Sequence, residues 1–426
     1  MNKHATARLA AALAAAAALL VGVPALVALP DRGSAAAPAA AVPAAPDAAS
    51  GRGSLAAVIA AAQQKLRTRP DDARALATLG AAYVEQARVT GDPTYYPRAQ
   101  QALDRALAGS VPGDAAYAPA LAAQAALANA RHDFGPARDF AARAAAAEPY
   151  SATAYGALAD ALTQLGAAAE ATAAVQRMLD LRPSVAAFTR AGYDLELRGD
   201  LAGAQAALQR GLDLAASPDE VAYCHRYLAE LARRQGDPAA AVRHFDAGLA
   251  AVPGDPALRA GRGAALAALP GGAARDQALA EYAAATAALP VPQFLAEYGE
   301  LLESAGRADE ARAQYDLSAA SFALLEANGA GDDLARAQFE ADHGDPAEAL
   351  RRAEAEWGRR QSVFTADALA WALHRNGRDA EAVGYARRAL ADGWRDPVPV
   401  RHLAEIERAL SATGAPPVAA TPGGAS

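Results

Sequence analysis

The chain has 426 residues, 53% hydrophobic and 21% charged, which leaves room for two or three ordinary domains or for one long repeat array. Roughly 30% of it is alanine, about four times ordinary usage, and only 6% is aromatic, so a core must be built from small side chains and large β-sheets are disfavoured. A net charge of −8 argues against binding of phosphate backbones, and no nucleic-acid partner is expected; the single cysteine, Cys224, excludes an intrachain disulfide and a cysteine zinc cage.

Lys3, His4 and Arg8 precede an uncharged, almost wholly apolar run over residues 9–29. At ~1.5 Å per residue this helix could just span a hydrocarbon core of ~30 Å. The basic residues place the N-terminus in the cytoplasm and the rest outside. Residues 1–30 are therefore expected to be a signal peptide or an N-terminal membrane anchor. Val23-Pro24-Ala25 offers a small-residue cleavage signature, and both outcomes stay open. No cysteine follows the run, which removes lipid attachment. Residues 31–54 read as a disordered Ala/Pro linker, and residues 411–426 as a disordered tail.

Between these ends prolines recur rhythmically. The intervals Pro149 to Pro183, Pro183 to Pro218 and Pro218 to Pro253 are 34, 35 and 35 residues. A fixed period of this size predicts stacked helical hairpins. Glycines such as Gly166, Gly199, Gly236, Gly306, Gly344 and Gly377 divide each interval midway. In Gly236-Asp237-Pro238 and Gly344-Asp345-Pro346, glycine supplies a left-handed residue, aspartate caps the next helix and proline takes its first position. Glu348 would complete a capping-box-like arrangement with Asp345.

These units resemble the tetratricopeptide repeat family. Leu76, Leu79, Gly80 and Tyr83, followed by Ala99, Leu103 and Ala106, match its two-helix pattern closely. Tyr155, Leu158, Ala159, Ala171, Val175 and Pro183 repeat it, as do Leu228, Ala229, Ala241, Phe245 and Pro253. The resemblance covers residues 55–410 and implies an all-α, right-handed α-solenoid of antiparallel helix hairpins. About nine hairpins are expected. Weak units lie around the Pro270-Gly271-Gly272 insertion and around residues 333–361, which lack the large residues. A lone helix would cap the front and another the rear. Small residues at Gly80, Ala159 and Ala229 would let paired helices cross closely, and no hairpin would bury its apolar stripe without neighbours.

Catalytic signatures are lacking: there is no HExxH, GxSxG or phosphate loop. Gly261-Arg262-Gly263 lacks the strand and third glycine of a dinucleotide fingerprint, and Arg198-Gly199-Asp200 reads as an inter-helix turn with Asp200 as N-cap. His132, His343 and His374 fall in different repeats, and the adjacent Cys224 and His225 point about 100° apart on a helix, so no metal and no cofactor are expected. Trp357, Trp371 and Trp394 are assigned to packing between the final hairpins, with Trp371 also a candidate at an interface.

The resemblance implies that the useful surface is a concave groove lined by first-helix positions. On this chain those are Asp160, Tyr193, Glu196, Arg226, Glu230, Arg233, Glu300, Glu303 and Trp371. Arg226 and Glu230 could equally pair with each other. No Lys/Asn clamp for a C-terminal carboxylate is visible, and Glu300 with Glu303 would favour a basic or polar peptide. The expected protein is a non-catalytic scaffold or assembly factor that binds another protein or peptide on the extracytoplasmic side of a bacterial membrane. One alternative is a metal-handling or enzymatic accessory protein with a site in an atypical repeat, near residues 270–272 or 332–345. Another is a self-associating structural protein, and the sequence leaves the oligomeric state open.

Overall fold

The structure, a computed structural model, describes residues 50–413, with side chains described from 55 to 412. The apolar run over residues 9–29 lies outside them, as does most of the linker and tail. No helix among the described residues is long and apolar enough to cross a membrane.

All regular structure among these residues is helical. A single helix, α1 (Ser50–Thr68), leads the array, starting inside the segment read as linker. Hairpins follow from α2 (Ala73–Thr90) with α3 (Tyr95–Ala108), α4 (Tyr117–Ala130) with α5 (Phe134–Ala147), and α6 (Ala152–Leu165) with α7 (Ala168–Leu181). The middle comprises α8 (Val185–Leu197) with α9 (Leu201–Leu214), α10 (Pro218–Arg234) with α11 (Pro238–Ala251), and α12 (Pro256–Ala267) with α13 (Gly272–Ala288). The last three are α14 (Pro292–Ser304) with α15 (Ala308–Ala327), α16 (Asp333–His343) with α17 (Pro346–Arg359), and α18 (Val363–Arg375) with α19 (Asp379–Ala389). A final helix, α20 (Pro397–Thr413), covers the rear. The described residues thus hold nine hairpins between two single helices.

Local chemistry accounts for the breaks. Asp72 Oδ1 accepts from Ala75 N–H at 2.8 Å, and Asp200 Oδ1 from Gly203 N–H at 2.9 Å, each satisfying an orphan donor worth ~1 kcal/mol to the helix. Gly236, Asp237 and Pro238 behave as the sequence predicts: Gly236 is left-handed, and Asp237 accepts from Ala240 at 2.8 Å. The similar run at Gly344 differs. Its backbone is not left-handed (φ −132°), because Glu340 reaches back to accept from Asp345 N–H at 2.9 Å and closes the turn instead. Nor does Glu348 form a capping box. Its carboxylate binds Arg351 and Arg352, whose hydrogen bonds hold it down to about 2.

Packing explains the small residues. A Cβ on Gly80 would lie 2.4 Å from Leu103 Cγ, so only glycine lets α2 and α3 cross there. Ala159 and Ala229 are buried against the second helices of their hairpins. The unit over 333–361 is complete, its large residues being Phe339 and Trp357 at other register positions. First helices of consecutive hairpins touch each other along most of the array, which curves that layer inward.

The array does not stay open. Its second half returns onto the hairpin turns of its first half, which neighbour-only stacking does not anticipate. Arg131 Nε donates to Gly329 O at 2.7 Å, 198 residues away, and His132 Nδ1 lies 2.9 Å from Asp332 Oδ2. Arg360 donates to Gln164 O at 3.3 Å, and Arg234 bridges Glu196 (2.8 Å) and Asp396 (3.1 Å). Backbones meet at two left-handed glycines, where an added Cβ would lie 2.5 Å from Gln361 O at Gly166 and 2.7 Å from Gly393 O at Gly199.

This seam is pH-sensitive on the acid side. Burial opposes ionisation of Asp332, but His132 and the Ala335 N–H outweigh it and hold the carboxyl below its usual range. The contribution is complete above the unfolded value of ~3.9 and is lost as pH falls toward the depressed folded value. Asp332→Asn should lower the thermal midpoint at pH 7 and flatten its dependence below pH ~4, which a melting series across pH measures directly.

Candidate functional site

Two hollows lie on the inner layer. The larger, about 610 Å³, runs across α2, α4, α6 and α8. Its walls are chiefly alanine: Ala77, Ala81, Ala118, Ala122, Ala126, Ala157 and Ala186, with Met178. Because alanine reaches only one carbon from the backbone, four helices can converge and still leave space between them. Charge is confined to a few positions, Arg74, Arg182 and Arg190 opposite Asp114 and Glu148. Arg190 is fixed by a bidentate pair to Asp160, with Nε and NH2 donating at 2.8 and 2.7 Å, both side chains almost fully buried. Such a pair adds geometric order to a wall that is otherwise smooth.

The smaller hollow, about 160 Å³, lies farther along, between α8, α10, α12 and α14, and is rich in charge. Arg226 stacks over Tyr223 and Tyr227, its Cζ 5.6 and 4.8 Å from the ring centres. Arg233 pairs with Glu230 at 3.0 Å. Burial opposes the charge on Glu230, but Arg233 and Arg234 prevail and hold its carboxyl below the usual range. Glu297 differs: burial raises it, although Gln293 and the Tyr282 hydroxyl donate to it at 2.9 Å each. The hollow therefore presents a cation–aromatic stack beside a reluctantly ionised carboxyl.

Four of the nine sequence-predicted positions, Tyr193, Arg226, Glu230 and Arg233, converge on this smaller hollow. Asp160 underlies the larger cleft as the partner of Arg190. Glu196 is buried in the seam against Arg234, with burial raising its carboxyl above the usual range. Glu300 lies 3.0 Å from His343 Nε2, and Glu303 accepts from the Tyr315 hydroxyl at 3.1 Å. Neither lines these two hollows, and the larger cleft is not acidic. Trp371 is a correction. It lies 7% exposed, stacked on His402 at 4.1 Å, with its indole N–H donating to Asp342 at 2.8 Å. Helix α20 brings His402 over that face and leaves the ring no room to meet a ligand.

Sequence reasoning missed the larger cleft because its lining is mostly alanine, which carries no chemical signal. The first-helix rule that selected Asp160 and Arg226 extends to Thr78, Ala81, Ala118 and Ala122, and would have found it. Cys224 is buried, its thiol pushed up to about 12 chiefly by burial, and it has no access to either hollow. No group of three or more metal-ligating side chains occurs among the described residues.

A curved stack of helical hairpins with an inner cleft defines a helical-repeat protein of the α-solenoid class. A family model for the tetratricopeptide repeat matches residues 224–266, which span α11 and most of α10 and α12. That stretch is similar to a tetratricopeptide repeat. Among solved structures the chain is similar to a thermophilic TPR protein of Thermus thermophilus, at 22% identity over 46% of this chain and 98% of that one, with a TM-score of 0.40. Yeast Tom70 matches at 14% identity over 85% and 87%, with a TM-score of 0.42. A human IFIT1 dimer with m7Gppp-AAAA matches at 13% over 85% and 88%, with a TM-score of 0.46. No curated protein matches the sequence.

Proposed function

We propose that this chain is a non-catalytic scaffold whose inner cleft holds a segment of another protein, and that it works on the extracytoplasmic side of a bacterial membrane. The observation that carries the reading is the alanine-walled cleft of about 610 Å³ across four successive first helices. Its wall is ordered before any partner arrives, so little side-chain entropy is lost there on binding, and many shallow contacts can sum to useful affinity. The mostly apolar wall suits a segment with small apolar side chains and a few polar groups to meet Arg74 and Asp114. The membrane setting rests on Lys3, His4 and Arg8 ahead of the uncharged run over residues 9–29.

One experiment tests both halves. Crosslinking in native cells, with mass identification of what is retained, should recover a partner that is lost in Thr78→Trp, which fills the cleft. The partner should be kept in Ala142→Trp, on the exposed side of α5. Deleting residues 1–30 should move the protein out of the membrane or exported fraction while leaving its helical content intact. Equal capture by both tryptophan variants would remove the cleft from the reading, and unchanged fractionation would remove the membrane setting.

A further inference from the structure

Six histidines lie among the described residues, and four of them face a carboxylate. His132 meets Asp332, His343 meets Glu300, His374 meets Asp379 and His402 meets Asp367. The remaining two meet each other. His225 of α10 and His244 of α11 bring their Nδ1 atoms to 3.2 Å, with ring centres 5.4 Å apart and planes inclined by 37°. Both rings are partly exposed, so ions in solution can reach them. They are set from below by the helix crossing that buries Ala229 and Phe245.

We propose that His225 and His244 form a two-imidazole chelate for a late first-row divalent cation, with Zn2+ as the reference case. At metal–nitrogen distances of about 2.0–2.1 Å, nitrogens 3.2 Å apart subtend about 100° at the metal, close to the tetrahedral angle that zinc prefers. Imidazole nitrogen suits zinc, copper and nickel, whereas calcium and magnesium take oxygen ligands. In its neutral form each imidazole can offer a lone pair to a cation.

The hydrogen now shared between the two Nδ1 atoms moves to Nε2 of its own ring through solvent when the cation arrives. Between two neutral rings this is a tautomer change with no net proton release. Cys224, though adjacent in sequence, is turned into the core beside Gly211 and takes no part. With two protein ligands the other positions fall to water, which makes the site exchangeable rather than structural. Its occupation would tie α11 to α10, the helix that presents Arg226, Glu230 and Arg233.

The test uses the full chain with Zn2+ followed by calorimetry and Co2+ followed by its visible absorption. One equivalent should bind, raise the thermal midpoint and give a saturable change in the cobalt visible absorption. His225→Gln and His244→Gln should each weaken binding at least roughly tenfold, ~1.4 kcal/mol, with unchanged helical circular dichroism. His343→Gln, which alters a carboxylate-paired ring, should bind as the parent does. Absence of saturable binding in the parent chain, or parent-like binding by His225→Gln and His244→Gln, would overturn the assignment.

Discussion

Arg360→Ala is expected to destabilise the chain by about 3 kcal/mol and to open the contact between its first and second halves, because it strands a buried carboxylate. Arg360 is 5% exposed, binds Glu356, donates to Gln164 and lies 4.5 Å over the Phe134 ring. Its loss leaves Glu356, also buried, with only the largely exposed Arg359. It also removes the cation–π contact and the donor to Gln164 O. Hydrogen exchange should accelerate together in the turns near Gly166 and Gln361, and the denaturant midpoint should fall. Gly166→Val should open the same turns by another route. Its φ of +78° strains any side chain, and its Cβ would strike the Gln361 carbonyl. If exchange near Gln361 stays slow in both variants, the seam does not hold the two halves together.

The second large effect concerns the wall of the inner cleft. Arg190→Ala should cost ~3–5 kcal/mol, since it leaves Asp160 buried without its bidentate partner. Replacing both residues by apolar side chains of similar volume, Asp160→Leu with Arg190→Met, should return stability to within about 1 kcal/mol of the parent. A chemical-denaturation cycle over the four proteins reads this directly. If the double variant is as unstable as the single one, the pair contributes net stability rather than order in the wall.

Much of the fold was legible because proline and glycine mark its joints and their spacing is regular. The nine hairpins, the two single helices, the crossing at Gly80 and the caps at Asp200 and Asp237 all follow from signals a few residues long. The seam was not legible. It joins backbone to backbone at Gly166 and Gly199, and its side chains, such as Arg131 and Arg360, resemble any other surface arginine until the partner arrives from about 200 residues away. Periodicity describes what repeats, whereas closure depends on the accumulated twist of many hairpins. The charged hollow was partly legible, since Arg226, Glu230 and Arg233 follow one helix face. Trp371 packs among the final helices as assigned, but nothing in its own repeat announces that α20 will cover the face that made it an interface candidate.

A chain of identical links can normally gain or lose one without harm. Here Arg131 must meet Gly329 while Gln164 meets Arg360, so adding or removing a single hairpin between these points would slide every mate out of alignment by one place. The molecule therefore counts its own links, and its length is set by a latch rather than left to drift.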